Sequence, residues 1–130
     1  GDPKDILFVT TGITTQECLE ATEKLSKIGI KAGVLHNNTI KPFDEKNLIK
    51  YAKKTKLIVT VEEHLVSGGL GSIVLETLNN LDFIKINKVL RLGINNEFVR
   101  KYESQKDLLD FCNISSQKIF NIVKKKINEK

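Results

Sequence analysis

Five residues near the middle of the chain, Leu57-Ile58-Val59-Thr60-Val61, run almost without a polar break. A strand with one wet face alternates apolar and polar side chains. A strand this uniformly apolar needs cover on both faces, as inside a parallel sheet with helices above and below. The rest of the sequence supplies the matching rhythm of strand, then helix. Ile6-Leu7-Phe8-Val9 is a short run of strand formers. Thr14-Thr15-Gln16-Glu17 reads as a capping box, with Thr14 at the cap. Behind it Cys18, Ala21, Thr22, Leu25 and Ile28 recur at helical spacing, and Gly29 is a stop signal.

Residues 30–36 form the second expected strand, and Pro42 ends that stretch because proline cannot donate to a ladder. Asp44 is a suitable cap for a helix reaching Lys54, with Leu48, Ile49 and Ala52 inward. Ser67-Gly68-Gly69 opens the next helix, whose stripe is Leu70, Ile73, Val74, Thr77, Leu78 and Leu81. Val89-Leu90-Arg91-Leu92 is a fourth strand. Ser104 and Ser115 cap two final helices, the last with Ile119, Ile122, Val123 and Ile127 inward. The expected fold is therefore α/β: a three-layer α/β/α domain over residues 1–130, with a mostly parallel sheet of about five strands.

Charge narrows the function. The net charge is +5, from 21 basic and 16 acidic residues. Residues 118–130 hold five lysines and Glu129, a net +4, which leaves +1 for the other 117. There are only two arginines, Arg91 and Arg100, and no aromatic residue interrupts Lys124-Lys125-Lys126. That run reads as a solvated helix end facing its own negative dipole, not as a nucleic-acid or membrane surface. No apolar run approaches the roughly 18 residues a membrane helix needs, and the polar start Gly1-Asp2-Pro3-Lys4-Asp5 has no signal-peptide character. Cys18 and Cys112 lie far apart outside any C-x-x-C pair, and with two histidines they make no zinc set. A reduced, buried Cys18 fits a cytoplasmic protein. The absence of Met leads us to expect that the chain begins inside a longer protein, with residues 1–4 a linker or an added segment.

Ligands of open α/β sheets bind beyond the carboxyl ends of the strands. The richest such segment here is Glu62-Glu63-His64-Leu65-Val66-Ser67-Gly68-Gly69-Leu70-Gly71-Ser72. Its acids and His64 could exchange protons, and its glycines could bring an anion to a helix N-terminus. The plainer alternative is structural: glycines for close helix–strand packing, and Glu62, Glu63 and His64 for loop or interdomain hydrogen bonds. Gly69-Leu70-Gly71 begins a dinucleotide fingerprint, but Val74 takes the third glycine position. No G-x-S-x-G elbow activates Ser67 or Ser72. The candidate binding residues are Glu62, Glu63, His64, Gly68, Gly69, Gly71 and Ser72, for an anion, an effector or a neighbouring domain. His36, which ends a strand alone, is a satisfied or solvent-facing residue rather than a ligand. No catalytic residue and no metal ligand is assigned.

Thr39-Ile40-Lys41-Pro42-Phe43-Asp44, then Ile58-Val59-Thr60-Val61-Glu62-Glu63-His64, then Gly68-Gly69-Leu70-Gly71-Ser72 resembles the C-terminal domain of the transketolase family. The split transketolases are the most similar, and 1-deoxyxylulose-5-phosphate synthases and E1 β chains of 2-oxoacid dehydrogenases share the domain type. The resemblance runs from Asp5 to Leu81 and weakens between Asp82 and Lys101. It implies an enzyme that moves two-carbon ketol units between sugar phosphates with thiamine diphosphate and a divalent metal, Mg or Ca. In that family the cofactor sits between two other domains. This domain would then bind no cofactor alone, pack beside the thiamine-binding domains and support a homodimer or a two-chain assembly. The metal-diphosphate motif, Gly-Asp-Gly followed by Asn-Asn, is not matched by Gly1-Asp2-Pro3 or by Asn37-Asn38. Three alternatives stay open: the C-terminal domain of a 1-deoxyxylulose-5-phosphate synthase, an E1 β module that docks an acyltransferase, and a free-standing binder of nucleotides or phosphate.

Overall fold

The computed structural model describes residues 4–10, 14–36, 45–62, 70–79, 88–93 and 115–128. Strands and helices alternate through these segments: β1 (Ile6–Thr10), α1 (Thr14–Ser26), β2 (Ala32–His36), α2 (Glu45–Ala52), β3 (Leu57–Glu62), α3 (Leu70–Asn79), β4 (Lys88–Gly93) and α4 (Ser116–Ile127). The four described strands form one parallel sheet in the order β2-β1-β3-β4, one strand fewer than expected. Ile6 lies level with Ala32 on one side and Leu57 on the other, and Leu57 with Lys88.

The apolar run Leu57–Val61 is central, as its composition requires. Every residue of β1 and β3 is buried. Alternation along the strands sends Ile6, Phe8, Leu57, Val59 and Val61 to one face, where Cys18, Ala21 and Leu25 of α1 and Ile119 and Val123 of α4 cover them. Leu7, Val9 and Ile58 face the other way, against Leu48 and Ala52 of α2 and Val74 of α3. The result is the three-layer arrangement. β2 is less deeply placed, with residues 32–35 half-buried, which suits a strand flanked on one side in the described sheet.

The helix ends show which local signals were read correctly. α1 stops at Gly29, whose φ of +83° is a conformation glycine adopts without strain. The Ile30 N–H donates to Leu25 O at 3.0 Å and the Gly29 N–H to Ser26 O at 3.1 Å, the two bonds of a Schellman motif. Ile30 and Leu25 meet in the same apolar cluster, which completes it. Ile28 departs from the expected stripe: it falls in the turn after α1 and is 46% exposed. The capping box at the start of α1 is also corrected. Thr14 is already inside the helix, and its hydroxyl donates to the Val61 carbonyl at 2.9 Å. The Glu17 carboxylate serves a different helix, accepting from the Ser116 N–H at the start of α4 at 2.6 Å. Ser115 is the cap of α4 as expected, its Oγ accepting from the Lys118 N–H at 3.4 Å.

α2 ends at Ala52 rather than Lys54, and β2 begins at Ala32 rather than Ile30. The Pro42 break, the Asp44 cap, the Ser67-Gly68-Gly69 turn, Leu81 and the helix expected after Ser104 lie outside the described residues. Among the described residues no helix is long and apolar enough to cross a membrane.

Cys18 is fully buried, and burial, with the Glu17 carboxylate as a second cause, pushes its thiol far above the ordinary range. The thiolate is the reactive form. In a Cys112→Ser variant at about pH 8, where an exposed thiol reacts readily, Cys18 should take up no thiol reagent until the protein is denatured. Native-state labelling at the rate of a free thiol would show that α1 does not pack as described.

Candidate functional site

In a parallel sheet all strands end at one edge, so β1, β2, β3 and β4 deliver Thr10, His36, Glu62 and Gly93 to the same side of the molecule. α1 begins at this edge and adds Thr14 and Thr15. The edge divides into two parts because alternate side chains face opposite layers.

On the α1 side, three side chains form a chain of hydrogen bonds. Thr10 Oγ1 and Thr15 Oγ1 are 2.8 Å apart, and Thr15 Oγ1 lies 2.6 Å from His36 Nδ1. Thr10 is fully buried and His36 is exposed, so the chain runs from the sheet interior to the surface. His36 is thus both hydrogen-bonded and solvent-facing, the reading its isolation suggested. The network ties the end of β2 to the end of β1 and to the first turn of α1.

On the α2 and α3 side, Glu62 closes β3 with its side chain only 4% exposed, and its Oε1 lies 4.0 Å from Arg91 Nη2 on β4. Arg91 is the register partner of Thr60, two residues before Glu62 and on the same face. The Arg91 Nε and the Thr60 hydroxyl are buried and accept or donate no hydrogen bond. Two opposite charges have therefore been drawn into the edge of an otherwise apolar sheet. A carboxylate removed from water is stable there because a guanidinium stands opposite.

Of the expected binding residues, Glu62 is placed at this edge. Glu63, His64, Gly68 and Gly69 lie outside the described residues. Gly71 and Ser72 fall in the first turn of α3, which begins at Leu70. Arg91 was missed by sequence reasoning. The available signal was a single charged residue inside the apolar run Val89-Leu90-Arg91-Leu92, matched by Glu62 ending another. Among the described residues, no group of three or more His, Cys, Asp or Glu could hold a metal ion.

Known proteins are similar to this chain in sequence and in fold. The chain is 40% identical over 98 residues to the 1-deoxy-D-xylulose-5-phosphate synthase of Halothermothrix orenii, matching 75% of this chain and 15% of that protein. It is 36% identical over 129 residues to a putative transketolase family protein of Sinorhizobium fredii, covering 98% of this chain and 37% of that one. A solved structure described as a split gene transketolase, an inactive β4 tetramer, superposes with a TM-score of 0.79 at 34% identity, covering 97% of this chain and 39% of that chain. The chain thus spans well under half the length of each. The family model for the transketolase C-terminal domain matches residues 2–119, so the four described strands, α1 to α3, the first residues of α4 and the Glu62 edge fall within one continuous match. A parallel sheet in this order, bearing these motifs over nearly its whole length, belongs to the transketolase C-terminal domain family.

Proposed function

We propose that this chain is the C-terminal domain of a thiamine-diphosphate-dependent transketolase that moves two-carbon ketol units between sugar phosphates in the cytoplasm. Its part is to pack against the thiamine-binding domains and to support the dimer or two-chain assembly, with anion or effector binding at residues 62–72 as a possible addition to that role. The observation that carries the reading is the near end-to-end similarity to a split gene transketolase of which this chain is 39%. The remaining length of such a relative is where a cofactor would be held.

On this reading the metal and the diphosphate are held by the other domains. A diphosphate-bound divalent cation needs several hard oxygen ligands. Among the described residues Glu62, the buried carboxylate at the sheet edge, faces Arg91. No step of ketol transfer is assigned to this chain. When bound by the parent, thiamine diphosphate supplies the carbanion chemistry itself. A second reading, a 1-deoxyxylulose-5-phosphate synthase, is favoured by the 40% identity to the Halothermothrix orenii enzyme.

The test is reconstitution. The chain alone, given thiamine diphosphate, magnesium, xylulose 5-phosphate and ribose 5-phosphate, should transfer no ketol unit. The parent assembly containing it should do so. Turnover by the isolated chain would overturn the division of labour. A parent that consumes pyruvate with glyceraldehyde 3-phosphate, and leaves xylulose 5-phosphate untouched, would select the synthase.

A further inference from the structure

In a parallel sheet every strand starts, and every covering helix ends, at the pole opposite the edge just described. This pole gathers lysines from segments far apart in sequence. Lys4, Lys31 and Lys56 stand just ahead of β1, β2 and β3, and all three are exposed. Exposed Lys27 follows α1, and exposed Lys53 and Lys54 follow α2. α4 starts beside Glu17 in the first turn of α1 and keeps Ile119 and Val123 in the cluster that holds Leu25. It therefore runs in the sense of α1, which brings exposed Lys124 and Lys125 to the same pole.

Helix dipoles account for lysines in the last turns of helices. They do not account for Lys4 and Lys31, which precede strands, whereas Lys56 has Asp5 as its ion-pair partner. Among the described residues the acids at this pole are Asp5, Glu23 and Glu76. Asp5 is committed: its Oδ1 lies 3.6 Å from Lys56 Nζ and its Oδ2 accepts from the Lys31 backbone N–H at 2.8 Å. The carboxyl edge, in contrast, mixes Glu17 and Glu62 with Lys46, Arg91 and Lys118. Among the described residues, the lysines of the C-terminal run thus share one pole of the sheet with lysines next to β1, α1, β2, α2 and β3.

We propose that this lysine pole docks a carboxylate-rich protein surface. Lysine offers a compact, hydrated charge on a flexible stem. The pole lacks the tools of nucleic-acid recognition among its described residues. It has no arginine fork for phosphates and no outward aromatic ring for bases. Tyr51 is packed against the α2–α3 cluster and Phe120 against the α1–α4 cluster. Ile28, exposed between Lys27 and Lys31, adds an apolar contact of the kind a protein surface can use. The relatives, in which this domain occupies 15–39% of the chain, place it beside other polypeptide. The inference does not rest on thiamine chemistry: ketol transfer tests the function, and polyanion binding tests this surface.

The experiment uses the 130-residue chain with poly-L-glutamate and, at matched charge, a single-stranded oligonucleotide. Poly-L-glutamate should bind with an affinity that falls as salt rises. The triple variant Lys27→Glu/Lys31→Glu/Lys125→Glu should weaken binding by about tenfold or more. Lys46→Glu/Lys118→Glu, at the other pole, should leave it within about twofold. If the triple variant does not fold, the glutamine version of the same three positions gives the reading through a smaller loss. Tighter binding of the oligonucleotide than of poly-L-glutamate, or equal loss from the two poles, would overturn the proposal.

Discussion

Replacing Phe8 with alanine is expected to cost about 3–5 kcal/mol of folding stability. Phe8 is the largest of the fully buried side chains and sits in β1, which has a hydrogen-bonded strand on each side. It belongs to the cluster that joins the sheet to α1 and α4. A domain of this size has about 5–15 kcal/mol in all, so the loss takes a large share of it. Urea unfolding followed by circular dichroism would read it as a lower midpoint with an unchanged slope. A loss below about 1 kcal/mol would mean that the α1–α4 layer does not pack on β1 in solution.

The second large effect lies at the carboxyl edge. Arg91→Met should destabilise the chain by about 3 kcal/mol at neutral pH, because it leaves the Glu62 carboxylate buried without its opposing cation. The figure sits at the low end for a buried pair because the Arg91 side chain is a third exposed and the pair is 4.0 Å apart. The double variant Glu62→Gln/Arg91→Met should recover most of the loss, since an apolar side chain beside a neutral amide leaves no charge stranded. Additive losses in the double variant would show that the two residues do not act as a pair. In the parent enzyme the same double variant separates stability from assembly: a fold restored with association still weakened would place the pair in the interdomain contact.

Legibility followed the range over which each signal acts. The apolar run of β3 gave its burial on both faces because a strand's environment is written in its own side chains. Gly29 gave the end of α1 for the same reason, since a positive φ is a local demand. Ser115 was legible as a cap because its acceptor reaches only to Lys118. Thr14 and Glu17 were misread where local and long-range partners competed. Their spacing suits a capping box, yet Val61 and Ser116 claim the two side chains from 47 and 99 residues away. Ile28 fitted the helical period but falls in the turn between Ser26, the last residue of α1, and Gly29. Glu62 was recognised at the sheet edge, while Arg91 became visible only with the register of β3 on β4. The lysine pole was hidden in the same way, because lysines next to different elements are neighbours only after the sheet orders those elements.

The strand order also bears on how the chain is made. β1 comes first from the ribosome among the described strands, yet lies inside the sheet, and Ile6 meets Leu57 only after a further 51 residues (57 minus 6). At about 5–20 residues per second, that is a wait of roughly 3–10 s with the apolar residues 6–9 unpaired on one side. Its α1 face waits longer, until Ile119 and Val123 arrive. Nascent chains stalled before Leu57 should therefore recruit chaperones through residues 6–9, and those released after α4 should not.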